Sequence, residues 1–247
     1  NNDPVRGEGY VVSGTLDSFV LLGPGGKVTV NGVGATLSGG TVAPGRKVQV
    51  EGAVSGATLR ASVVRVRPAG SVQVEAVMLV APNVAAGTFT VLTKKIQTDG
   101  YTRFKDDVGS DPTFSLAKLN PNDNVKVAGS YDAAGDVVNA ILVERIASLD
   151  NGRPLLQGPV SGEDALLARF TIIGIDVIAG STNTEYFAKD GSFLGSGFAA
   201  VAAFFAGLNV GDVVKVKDGL FTPGTPPIIS EGAGTPKMEV EFEEVDD

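Results

Sequence analysis

Valine at every second position marks three short segments of this chain. In 44–52 (PGRKVQVEG), Val48 and Val50 share one face while Lys47, Gln49 and Glu51 take the other. The same arrangement returns in 121–129 (PNDNVKVAG) and 209–219 (NVGDVVKVKDG). Each reads as a polar turn, a strand with a buried valine face, and a glycine. A period of about one small domain is the pattern of a tandem array. The flanking segments repeat in the same order. The first unit predicts strands within 9–22, a GPGG hairpin turn at 23–26, a strand at 27–32 and a closing strand at 57–68. The second predicts strands at 71–80, 87–92 and 95–104, then the signature, then 137–146. The third opens at 155–162 and continues through 168–180, with its closing strand at 237–244. Asp218, between Lys217 and Gly219, predicts a bulge or a lengthened turn in the third signature.

One stretch predicts a helix, FAAVAAFFAGL at 198–208. Phe198, Val201, Ala202, Phe205 and Leu208 fall at helical spacing, which directs one stripe at a barrel end and leaves Phe204 off it. Apolar nearly all round, the helix is expected to be buried. About five strands per unit, with a turn or helix between the third and fourth, make the fold class all-β: three tandem small OB-like β-barrels with a short helix in the third. A small sandwich per unit is the alternative. The expected domains are 1–69, 70–149 and 150–247, the last ending in an acidic tail.

Composition narrows the chemistry. Cys and His are absent, which removes disulfides, thiolate and imidazole nucleophiles and most zinc sites. The net charge of −8 is uneven: +3 over 1–69, −2 over 70–149 and −9 over 150–247. That distribution argues against general nucleic-acid binding, which needs a sustained basic surface. The longest apolar run, 198–208, is about half of what a membrane-spanning helix needs. The polar opening NNDPVRGEG, without Met, reads as a mature segment whose leader was removed.

Several side chains invite a functional reading. Arg60, Arg65 and Arg67 lie on the closing strand of the first unit, and with Lys47 they could form a basic binding patch on a barrel wall. A solvated strand face is the plainer account. Asp106, Asp107 and Asp111 could offer oxygens to a hard cation, but the spacing is not that of an EF-hand loop, and a solvated loop is expected instead. Glu163 with Asp164, and Glu241, Glu243 and Glu244, are acidic clusters that a hydrolase could use only across a cleft. No catalytic residue, metal site or cofactor is assigned.

The signature strands resemble those of a bacterial family of domains of unknown function. Its members are secreted, often lipid-anchored envelope proteins with tandem OB-like barrels. Leu208, Val210, Gly211, Asp212, Val214 and Val216 match its fourth-strand pattern, and Gly87, Thr88, Phe89, Thr90 and Val91 its second strand. Val48, Val50 and Gly52 keep the pattern, with Arg46 in place of the usual Asp; Asn122 replaces Gly before Asp123. The resemblance implies the barrel fold and a cell-envelope address, in the periplasm or at the outer membrane through a removed lipid-anchored leader. It brings no catalytic residues. The expected function is a non-catalytic binding module for a protein or carbohydrate ligand. The alternatives are a structural spacer in a surface assembly and, third, a carboxylate-based hydrolase.

Overall fold

In a computed structural model the described residues are 4–23, 26–42, 47–66, 72–100, 102–234 and 236–243. They divide into two compact units, 4–66 and 72–243.

The first unit contains β1 (Pro4–Thr15), β2 (Ser18–Gly23), β3 (Gly26–Asn31), β4 (Thr36–Ser38), β5 (Lys47–Ser55) and β6 (Thr58–Val66). Antiparallel pairs link β3 to β2, β2 to β1, β1 to β5 and β5 to β6. A parallel pair between β3 and β6 closes the ring. This five-strand order is that of an OB-like barrel, and closure leaves the ring without a free edge. The short β4 runs parallel to β6 outside the ring path. Val48 and Val50, the signature valines, are fully buried with Phe19, Val30 and Val64.

The second unit holds two further barrels. The first of them uses β7 (Val72–Val77), β8 (Thr88–Val91), β9 (Lys94–Gln97), β10 (Arg103–Asp106), β11 (Asn124–Asp132) and β12 (Val137–Ile146). Its path runs β8–β9–β12–β11–β7, with β10 parallel to β12 as β4 is to β6. The last barrel uses β13 (Leu155–Asp164), β14 (Arg169–Ile172), β15 (Ile175–Ile178), β16 (Thr184–Phe187), β17 (Phe193–Gly195), α1 (Phe198–Gly207), β18 (Val213–Lys217), β19 (Leu220–Thr222), β20 (Ile228–Ser230) and β21 (Met238–Phe242). Here the fourth strand is split into β18 and β19 at Asp218, whose φ of 59° breaks the extended run. The fifth strand is split into β20 and β21. The ring closes through these halves.

The expectation of separate closed cylinders meets a difference here. β7 pairs with β11 on one edge and with β13 on the other, in the register Leu155↔Glu75, Leu156↔Val74, Gln157↔Gln73. β13 takes the Gln73–Glu75 part of that edge, whereas the stretch equivalent to Tyr10–Thr15 of β1, which pairs with β2 in the first barrel, begins only at Val77, where β7 ends. Among the described residues no strand pairing joins β7 to β8. At this seam the chain beyond β7 meets β8 through the antiparallel bridge Asn83↔Thr88 rather than through a strand ladder, and 72–243 shares one buried cluster running from Val72 to Val240.

The signature glycine has a steric cause. Ser62 on β6 and Ile141 on β12 are extra residues that the pairing register skips, opposite Gly52 and Gly129. Such bulges sharpen the local twist. They push the fifth strand so close that a Cβ on Gly52 would fall on the Arg60 carbonyl oxygen, and one on Gly129 on that of Asn139.

Helix α1 forms where expected, but its buried stripe is turned. Ala200, Val201, Phe204 and Phe205 are buried, whereas Phe198 and Ala202 are exposed. Phe204 decides the rotation. Its ring lies 4.8 Å from Phe242, 5.3 Å from Tyr186 and 6.1 Å from Phe170, centroid to centroid, so the plug is built around the residue expected off the stripe.

Candidate functional site

A cleft of about 430 Å³ lies beside this seam in the second unit. One wall comes from Ala76 and Val77 of β7 and from Leu79 and Val80, where the chain leaves that strand. A second comes from Thr90 of β8 and the Leu92–Thr93 turn. The opposite side is made by Leu149, Gly152 and Pro154 of the connector and by Phe221 and Pro223 at β19. Leu79 and Val80 are 73% and 64% exposed, so apolar surface continues from the cleft to its rim. A concave, mostly apolar space of this size is what small-ligand sites are made of.

The Leu92–Thr93 turn is strained. A two-residue hairpin turn of this kind needs positive φ at both central positions, normally supplied by Asn-Gly. Here Leu92 has φ 48° and Thr93 φ 64°. A β-branched residue in that region is an outlier, costing on the order of 1 kcal/mol or more. Leu92 is nonetheless buried beneath the cleft wall. A neighbouring polar group ties this edge down: Lys94 Nζ donates to Asp136 Oδ1 at 2.8 Å, and the Tyr131 hydroxyl donates to the same oxygen at 2.6 Å. Burial, reinforced by Asp136, pushes the Tyr131 pKa well above its ordinary value, so the phenol stays protonated.

The outer face of the shared sheet is polar and self-neutralised. One cross-strand row runs Glu239, Lys217, Leu155, Glu75, Lys126, Glu144, Lys105, over seven strands from β21 to β10. Lys217 lies 3.6 Å from Glu239 and 2.6 Å from Glu241, Lys126 lies 3.2 Å from Glu75, and Lys105 pairs with Glu144. Burial works against ionisation of Glu241, but Lys217 and Lys215 outweigh it and hold its pKa below the usual range.

The candidate arginines are placed as follows. A period-two count sets Arg60 and Arg65 on opposite faces, but the bulge at Ser62 reverses the parity between them. Leu59 and Ala61 before it, and Val64 and Val66 after it, all face the core. Arg60 and Arg65 therefore share the outer face, Arg60 exposed and Arg65 half-buried and already engaged with a neighbouring group. Arg67 lies outside the described residues, as do the side chain of Lys47 and all of Glu244.

The aspartates of the 106–112 segment each have a separate task. Asp106, with its side chain fully buried, accepts from Arg145 Nε at 2.9 Å and Nη2 at 2.7 Å and from the Val108 amide at 3.1 Å. That bidentate pairing holds its pKa far below the ordinary carboxylate range. Asp107 pairs with Lys105, and Asp111, lowered to about 2 by Lys118 and Thr113, pairs with Lys118. Among the described residues no group of three or more carboxylates is arranged to hold a metal ion. Asp164 accepts from the amides of Leu166 and Leu167 and caps the 3₁₀ turn Ala165–Leu167, and Glu163 beside it is exposed. Glu241 and Glu243 belong to the lysine ladder.

Comparison with known proteins meets this geometry at the second barrel. Residues 80–143 match the family model described as a domain of unknown function (DUF5666). The matched stretch begins at the cleft rim and runs through β8, β9, β10 and β11 into β12. A comparison with curated proteins finds no match. Among solved structures, one described as Drosophila Unr CSD456 is similar, at 12% identity and a TM-score of 0.31, over 93% of this chain and 97% of that one.

The cleft itself escaped sequence reasoning. Its only local signal was the exposed Leu79–Val80 pair, which the alternation of 71–80 had absorbed into a strand that ends at Val77.

Proposed function

We propose that this protein is a non-catalytic binding module whose ligand sits with an apolar moiety in the cleft between the second and third barrels. The observation that carries the reading is the sparsely paired seam. β7 ends at Val77, and the space between the chain beyond it and β8 is lined by Ala76, Val77, Leu79, Leu92 and Phe221 rather than filled. Few polar groups converge there, which favours an apolar ligand, or an apolar side chain of a protein, over a carbohydrate. The carboxylates do not support the hydrolase reading. Among the described residues, every carboxylate with a displaced pKa is displaced downward, as for Asp106, Asp111, Asp136 and Glu241, whereas a general acid needs the opposite. The balanced ladder on the shared sheet likewise fits poorly with nucleic-acid binding. A cell-envelope address is part of the proposal and rests on the likeness of the signature strands.

A titration with the neutral fluorophore N-phenyl-1-naphthylamine tests this. Saturable one-to-one binding is expected, abolished by Thr90→Trp, which fills the cleft from an exposed position of β8 and leaves the melting temperature unchanged. Binding that Thr90→Trp does not alter would overturn the assignment. The spacer reading is favoured by one observation, the ion-paired wall that spans both barrels, whose cross-strand row from Glu239 to Lys105 holds no aromatic residue.

A further inference from the structure

Helix α1 breaks the ordinary rule for a surface helix. Its solvent face consists of Phe198, Ala199, Ala202, Ala203 and Ala206, with no polar side chain, and Phe198 is 85% exposed. A helix with one face in water normally carries charge there. The 3₁₀ turn beside it adds Leu166 at 97% and Leu167 at 61% exposure. The corresponding slot of the second barrel holds only the 3₁₀ turn Leu116–Lys118, and there Lys118 reaches out to Asp111.

We infer that α1 is a self-association surface, pairing antiparallel with the same helix of a second copy of this chain. The face is self-complementary. Its large residue, Phe198, stands at one end, and a small one, Ala206, stands at the other along the same i, i+4 row through Ala202. A two-fold axis at Ala202 sets Phe198 of each copy over Ala206 of its partner and leaves the two Phe198 side chains about 12 Å apart along the helix at 1.5 Å per residue. Alanines permit the close approach, and the interface is of the same-patch kind that two-fold dimers use. Charge argues against a lipid surface as the occupant. Helices that lie on anionic membranes carry Lys and Arg on their flanks, whereas 150–247 carries a net charge of −9. The patch is one face of a ten-residue helix and one 3₁₀ turn, small against the ~800 Å² per partner of a standard stable interface. The dimer is accordingly weak, and because two copies that each carry a net charge of −8 repel, salt strengthens it.

The chain contains no cysteine, which makes the test clean. Sedimentation equilibrium of the full chain from 10 μM to 1 mM is expected to show mass rising toward a dimer, more so in 500 mM than in 50 mM NaCl. Phe198→Glu is expected to remain monomeric throughout, with its melting temperature unchanged because the side chain is exposed. Under mild oxidation Ala202→Cys is expected to cross-link to itself, and Phe198→Cys is not. A wild-type monomer at 1 mM, a dimer indifferent to Phe198→Glu, or the reverse cross-linking pattern would overturn the inference. So would co-sedimentation with phosphatidylglycerol vesicles that Phe198→Glu abolishes, since lipid would then be the occupant.

Discussion

The second and third barrels fill the same slot of the repeat, the chain between third and fourth strands, with opposite chemistry. In the second, Asp106 at the end of β10 is clamped by Arg145 of β12, whose guanidinium carbon lies 4.9 Å from the Phe114 ring centroid. In the third, Phe170, Phe204, Phe205 and Tyr186 form an aromatic plug, and the Tyr186 hydroxyl donates to the carbonyls of Ala179 and Gly180 at 2.5 and 2.8 Å. The polar clamp is directional and depends on ionisation. The plug depends on burial and on a phenol that burial keeps protonated, so it is indifferent to acid. The repeat thus constrains where the chain must be anchored and leaves the means open. The aromatic solution also builds a helix whose outer face is free to be apolar.

Phe204→Ala should have the largest effect, a loss of about 3–5 kcal/mol in urea unfolding, because the cavity opens at the centre of the plug. A loss under 1 kcal/mol would mean that the plug is loosely packed. Acid should come next, acting on the other slot. The pKa values of Asp106 and Asp111 are lowered by folding, so their contribution is present above the ordinary carboxylate value and lost as pH falls from about 4 toward 2. Melting temperatures across that window should fall in the wild type. Asp106→Asn should already be destabilised at pH 7 and should show a shallower decline. An equal decline in both would remove Asp106 from the account. Thr93→Gly should have the smallest effect, a gain of about 1 kcal/mol from relieving the left-handed turn. Weaker fluorophore binding in that variant would show that the strain serves the cleft.

The alternation of Val48 and Val50, and of Val125 and Val127, was legible because a half-buried strand imposes period two on its own sequence. The position of α1 was legible for the same kind of reason, but its rotation was not. A helix apolar on all sides has no contrast to mark its buried stripe, and the rings of Phe170, Tyr186 and Phe242 select Phe204. The Asp106–Arg145 clamp joins residues 39 apart, and nothing near either predicts the other. The pairing of β7 with β13 leaves no local trace, since Gln73 and Gln157 alternate with their neighbours as any outward residues would. The cleft inherits that obscurity, being assembled from 76–80, 90–93, 149–154 and 221–223.

All of this rests on β7 and β13 sewing the second and third barrels into one cooperative unit. Differential scanning calorimetry of residues 70–247 tests it most directly. A single transition, with calorimetric and van't Hoff enthalpies equal, is the predicted result. Two resolved transitions, each the size of one barrel, would contradict it.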